Sequence, residues 1–275
     1  MPTSVCAYKD RRVIIDTATG IIGKEDSRLV NPDTLFPVFS ATKGVTTGMM
    51  HWLADKVKLK FDDNVANIWA EFGTNGKDQI NEFRSEFSMS SSLSPDMLAD
   101  FIPLSNTFNI RRAILPAING HFSARALARY YAALVDGGAV PPRHYSTPPL
   151  LGSHPQSDKI DTKNFSSAKS KIHDAFLGRG DYGRYLILPN SKIGLGFWKA
   201  NMIDGSLIGF GHVGVGGSTG YCDVNNRFSI ALTLNKLSFG PLVAEIIKFV
   251  CSEFDLPLPE DYSGSSKFIK KPMIN

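Results

Sequence analysis

Two short runs near the start of the chain, residues 5–8 and 12–16, are rich in apolar and β-branched residues and flank the polar trio Lys9, Asp10 and Arg11. This pattern predicts a β-hairpin. A polar stretch, residues 17–34, comes next. Phe36-Pro37-Val38-Phe39 then leads into Ser40, where the period changes. Ala41, Val45, Met49, Leu53 and Val57 recur every four residues and predict one stripe of a helix over residues 41–57. Residues 61–72 are less regular and end in the turn Thr74-Asn75-Gly76. Residues 81–119 are Ser-rich, with helical character only at 95–102. Ser123 reads as the N-cap of a helix over 124–135 that Gly137-Gly138 closes. Residues 141–180, full of Pro, Ser, His and Lys, predict a long surface loop. Four strands follow, at 193–198, 207–212, 219–224 and 227–234, with Asn225-Asn226 as a tight turn. The last helix, 242–254, is expected to bury Leu242, Ile246, Phe249, Val250 and Phe254.

Strands from both chain ends with helices between them predict an α+β fold. An antiparallel sheet flanked by helices carries a helical and loop insert. The chain, 1–275, is read as a single domain with a helical/loop subdomain at about 60–190. Apolar residues at 43% and charged residues at 20% fit a chain that buries a core without staples. A net charge of +4, spread along the chain, predicts no nucleic-acid surface; Lys267, Lys270 and Lys271 read as a solvated tail. Cys6, Cys222 and Cys251 are too few and too far apart for a disulfide framework or a zinc site. No apolar run approaches the roughly 20 residues of a membrane span. No signal peptide is visible either, so an intracellular location is expected.

Candidate chemistry begins with Ser40-Ala41-Thr42-Lys43. A serine and a lysine three residues apart at a helix start lie on adjoining parts of one face. The unpaired N–H groups and positive dipole end suit an oxyanion. A free lysine, pKa about 10.4, is neutral in only roughly one molecule in two thousand at pH 7. Burial and the dipole lower that pKa and make a usable base. A second such tetrapeptide, Ser166-Ser167-Ala168-Lys169, lacks an apolar lead-in and reads as chance. For Ser40 the plain alternative is a helix-capping serine beside an exposed lysine. His51, His121, His144, His154 and His173 have no metal-binding spacing, so no metal and no cofactor are expected.

The order Asp33-Thr34-Leu35-Phe36, Ser40-x-x-Lys43, then Leu59-Lys60-Phe61-Asp62-Asp63-Asn64-Val65 resembles β-lactamase-related serine hydrolases. The closest likeness is to the class C and esterase-like branch of the penicillin-binding-protein-like superfamily. Residues 116–120 and 123–129 resemble that branch's next helix. Phe210-Gly211-His212-Val213-Gly214-Val215-Gly216-Gly217-Ser218-Thr219-Gly220 resembles its third motif, with His-x-Gly in place of Lys-Thr-Gly. The resemblance implies Ser40 as nucleophile and Lys43 as base. It implies the N–H groups of Ser40 and Val215 as oxyanion donors, and His212, Gly214, Gly216 and Gly217 as the substrate-binding edge. For His212 the plain alternative is a histidine satisfying a loop carbonyl. The glycine run is followed by a strand rather than a helix, which argues against a nucleotide site.

One part of the family pattern is missing. The resemblance calls for a relay tyrosine after the first helix, yet residues 81–129 contain no tyrosine. A segment absent near Ile80/Asn81 accounts for this. Tyr130 and Tyr131 read as helix-packing residues, and Tyr145, Tyr182 and Tyr185 match no motif. The expected partner is a small ester or amide, hydrolysed through an acyl-enzyme. The competing reading is an impaired relative that binds or regulates.

Overall fold

The computed structural model describes residues 2–73, 103–142, 164–186, 191–238 and 240–264. At its centre is one six-stranded antiparallel sheet in the order β2-β1-β8-β7-β6-β5. The strands are β1 Thr3–Lys9, β2 Arg12–Thr19, β5 Trp198–Asn201, β6 Leu207–Val213, β7 Thr219–Asp223 and β8 Phe228–Leu234. A separate two-stranded ribbon pairs β3 Phe36–Pro37 with β4 His121–Phe122. Among the described residues four helices of at least two turns surround the sheet: α1 Thr42–Asp55, α2 Ala124–Val135, α3 Lys169–Leu177 and α4 Leu242–Glu253.

The hairpin turns through Asp10 and Arg11, both with positive φ, and β1 then pairs with β8 from the far end of the chain. β8 is buried along its whole length because helices cover both faces of the sheet. On one face Phe210, Cys222 and Ala231 meet Leu127, Ala128 and Tyr131 of α2 and Phe176 of α3. On the other, Ile208, Tyr221, Ile230 and Leu232 meet Val243, Ile247, Val250 and Cys251 of α4. Ion pairs fasten the layers at their edges. Arg125 of α2 reaches Asp16 of β2 at 2.7 Å and Asp33 at 2.8 Å. Asp136, just past α2, receives Arg227 at 2.9 Å.

Ser123 caps α2, its hydroxyl accepting from the Ala126 N–H at 3.1 Å, as the sequence predicts. Other expectations need correction. The four-residue stripe of α1 faces the core only at its start, where Ala41 is buried and Val45 packs inward; Met49 is 63% and Val57 81% exposed. Thr42, Gly44, Gly48 and His51 are buried instead. The reason is geometric: the tyrosines of α2 bring the bulk and α1 supplies the space. A methyl on Gly44 would overlap the Tyr131 hydroxyl, and one on Gly48 the Tyr130 hydroxyl. In α4, similarly, Val243, Ile247, Val250 and Cys251 point inward while Phe249 is 64% exposed. The strand expected at 193–198 begins only at Trp198, and residue 193 makes an isolated bridge.

The loop expected at 141–180 contains α3, whose Ile172, His173, Phe176 and Leu177 are buried. The apolar spacing of α3 is short, and its flanking polar residues masked it. The turn at 74–76, the helical hint at 95–102, the break at Ile80/Asn81, Tyr145 and the lysines of 267–271 lie outside the described residues. Among the described residues no helix is long and apolar enough to cross a membrane.

The Tyr131 hydroxyl is fully buried and has no hydrogen-bond partner among the described residues. An unsatisfied buried hydroxyl costs about 1–3 kcal/mol, so Tyr131→Phe should leave stability unchanged or raise it by about 1 kcal/mol in urea denaturation. Gly44→Ala alone should destabilise by about 1–3 kcal/mol through overpacking. In the Tyr131→Phe background that loss should shrink, giving a clear coupling energy in the double-mutant cycle.

Candidate active site

The site is assembled where the β3–β4 ribbon meets the start of α1. Pairing of Phe36 with Phe122 and Pro37 with His121 brings the Pro116–Gly120 segment beside Ser40. The Val38 N–H donates to Gly120 O at 3.0 Å. Thr42 Oγ1 donates to Phe39 O at 2.6 Å and accepts from the Gly120 N–H at 3.0 Å. Thr46 Oγ1 donates to Pro116 O at 2.6 Å. Phe39 takes a positive φ of 46°, costly for a bulky residue, and a 3-10 turn over Phe39–Ala41 carries Ser40 into α1. Backbone strain next to a serine so positioned is a common mark of a functional turn.

Lys43 Nζ lies 3.0 Å from Ser40 Oγ and 3.1 Å from Ala117 O. Since a carbonyl only accepts, the amine donates one hydrogen to Ala117 and keeps a lone pair for the serine when it is neutral. Burial pushes the Lys43 pKa below its ordinary value. Desolvation disfavours the ammonium form, which is what a lysine base requires.

β6 packs on both α1 and the Phe39–Ala41 turn. The Cβ of His212 lies against Gly44, the residue after Lys43. His212 Nδ1 donates to Val213 O at 2.9 Å, and its ring meets Trp198 edge-on at 6.3 Å. Burial is the main cause that lowers the His212 pKa; the Val213 bond opposes it and the charge of Lys43 adds to it. Gly214 presses on the Val38 carbonyl, two residues before Ser40, and a methyl there would overlap that oxygen. This glycine therefore lets chain approach chain. Val215 follows in a tight turn closed by the Gly217 N–H donating to Gly214 O at 3.0 Å, with Gly216 at φ 82°. Neither the Ser40 nor the Val215 N–H finds an acceptor among the described residues. Gly216 and Gly217 face Leu237 and the Leu234–Val243 pair, so their bareness serves packing.

Ser40, Lys43, His212, Gly214 and Val215 thus come together around one end of α1. The second tetrapeptide does not form a pair. Ser166 Oγ accepts from Lys56 at 2.6 Å, while Lys169 pairs with Asp136 at 3.5 Å. No tyrosine hydroxyl among the described residues bonds Ser40 or Lys43: Tyr130 donates to Gly44 O at 2.8 Å, and Tyr262 shares a bond with Thr219. The position beside Lys43 is taken by the Ala117 carbonyl, which sequence reasoning missed because a backbone oxygen has no side-chain signature. A cavity of about 450 Å³ at the other end of α1, around His51, Phe61 and Tyr182, includes neither Ser40 nor Lys43. Among the described residues no cluster of three or more His, Cys, Asp or Glu is placed to hold a metal.

Comparison with known proteins follows the same outline. Residues 3–81 match the Beta-lactamase family. Over those residues the chain is similar to that family. The match ends at residue 81, next to the position where a break in the pattern is expected. Over 132 residues the chain is 33% identical to the Esterase/beta-lactamase LipL of Mycobacterium tuberculosis (strain ATCC 25618 / H37Rv), covering 48% of this chain. The chain spans a quarter of that relative's length, 25%. In fold it is similar to a penicillin-binding protein homolog from Caulobacter crescentus, with TM-score 0.58, 20% identity and coverage of 86% and 87% of the two chains. It is also similar to a family VIII carboxylesterase, with TM-score 0.59, 16% identity and coverage of 86% and 87%.

Gly214→Ala should destabilise the protein by about 1–3 kcal/mol, because the clash is with backbone that has no room to yield. Gly23→Ala, where nothing lies within 4 Å, serves as the control and should be near neutral. Denaturant midpoints of the two variants check this.

Proposed function

We propose that this chain is a β-lactamase-related serine hydrolase that cleaves a small ester or amide through a Ser40 acyl-enzyme, with Lys43 as base. The observation that carries this reading is the 3.0 Å contact between Lys43 Nζ and Ser40 Oγ, made by a lysine whose pKa burial lowers. Lys43 takes the Ser40 proton as Oγ attacks the carbonyl carbon. The N–H groups of Ser40 and Val215 receive the oxyanion, and the Lys43 ammonium returns the proton to the leaving group. An ester fits better than a carboxylated β-lactam. A cation on the third-motif strand would hold a carboxylate, and here His212 stands in its place with a lowered pKa.

A second reading has its own observation. With the Ala117 carbonyl on Lys43 and no tyrosine hydroxyl bonded to Ser40 or Lys43 among the described residues, a non-catalytic binding or regulatory relative fits the same geometry. Labelling by a serine-reactive fluorophosphonate separates the two: the hydrolase labels at Ser40 and the binding module does not.

Hydrolysis of p-nitrophenyl acetate should fall by about three orders of magnitude or more in Ser40→Ala, and nearly as far in Lys43→Ala. The double variant should lose no more than the worse single, because the two act as a unit. Ser166→Ala should leave the rate unchanged. The acylation rate should rise with pH as Lys43 loses its proton. The midpoint should lie below 10.5, since burial disfavours the charged form. Activity that survives Ser40→Ala would remove Ser40 as the nucleophile.

A further inference from the structure

We infer that His212 is the base that activates water to hydrolyse the acyl-enzyme, so that acylation and deacylation use two different bases. This rests on the serine-hydrolase reading above and extends it to the second half of the reaction. The first support is the tautomer. Val213 O accepts from His212 Nδ1 at 2.9 Å, so Nδ1 holds the ring hydrogen and Nε2 is left with its lone pair. That Nε2 has no recorded partner among the described residues. The second support is placement. The His212 Cβ lies against Gly44, one residue from Lys43, and β6 packs on the turn that presents Ser40. The edge-on Trp198 ring and the Val213 bond fix the imidazole without using Nε2. The third is Lys43, whose Nζ is held by Ala117 O as well as by Ser40.

The step balances as follows. Water oxygen attacks the acyl carbon while its proton passes to Nε2, and the oxyanion forms between the Ser40 and Val215 N–H groups. The bond from the acyl carbon to Ser40 Oγ then breaks, and Oγ takes the proton from the imidazolium. Free acid leaves, with Ser40 and neutral His212 restored.

Several groups bear on the His212 titration. Lys43 faces it from α1 and opposes its protonation. The buried Tyr131 hydroxyl from α2 also lies at Gly44, with its pKa well above the usual value because of burial. Trp198 and Lys199 of β5, Asp261 and Tyr262 line a cavity of about 330 Å³ that also borders His212. Burial, the main cause, lowers the imidazole pKa and favours its neutral form.

The test separates the two steps with p-nitrophenyl acetate in pre-steady-state kinetics on the full chain. In His212→Gln the p-nitrophenol burst should keep its amplitude and come within a few-fold of the wild-type rate. Turnover after it should fall about 100-fold or more, the usual scale for a lost general base. Acetyl should accumulate on Ser40 by mass spectrometry. Wild-type deacylation should lose rate as pH falls through a midpoint below 6.5, and His212→Gln should lack that limb. Added imidazole should speed deacylation of His212→Ala, a rescue that a purely structural role does not produce. Burst and turnover that fall together in both variants, or turnover that is unchanged, would overturn the role of His212 while leaving Ser40 as nucleophile. A folded wild type that never acetylates Ser40 would instead overturn the hydrolase reading, and this inference with it.

Discussion

The candidate site depends on how closely the backbone of α1 approaches the layers beneath it. Gly44 and Gly48 leave room for the Tyr131 and Tyr130 hydroxyls of α2, and Gly214 lets the end of β6 rest on the Val38 carbonyl. At Gly214 backbone meets backbone, and at Gly44 and Gly48 bare backbone meets a packed tyrosine, so the placement of α1 has little room to vary. Ser40 stands at the start of that helix and His212 on the strand below it. Their relative position is therefore fixed by packing with little freedom to relax, the rigidity that a preorganised site needs.

Electrostatics then sets the two Ser-x-x-Lys tetrapeptides apart. At Ser40 the lysine is desolvated, its pKa is lowered, and its recorded partners are the serine and a carbonyl, none of them negatively charged. At Ser166 the lysine finds a carboxylate, Asp136, and the serine finds a different lysine, Lys56. A carboxylate partner holds an ammonium charged, whereas burial beside neutral oxygens favours the amine. The same four-residue spacing thus gives opposite chemistry, and local charge decides which.

Legibility in the sequence followed the range of the forces involved. The β1–β2 hairpin, the strands at 207–213, 219–223 and 228–234, and helix α2 with its Ser123 cap were all readable, because turn chemistry, capping and alternation are set within a few residues. The inward faces of α1 and α4 are legible only in part: Ala41, Val45, Ile246, Val250 and Phe254 pack inward as expected, whereas Met49, Val57 and Phe249 do not. Hydropathy ranks large apolar residues as buried, but α1 turns its glycines and His51 inward to fit tyrosines supplied by another helix. Helix α3 was read as loop because its nine residues give a short apolar period among polar neighbours.

By itself the sequence determined the α+β order of elements and the serine–lysine pair, since three residues at a helix start place both groups on adjoining parts of one face whatever surrounds them. It also carried the break in the family pattern at Ile80/Asn81. Tertiary structure alone decided what Lys43 touches, which tautomer His212 holds and what the bare glycines are for. The Ala117 carbonyl, the Val213 carbonyl and the Val38 carbonyl are backbone atoms that every residue carries. Only the closing of the sheet between two distant parts of the chain brings those particular oxygens to this particular site.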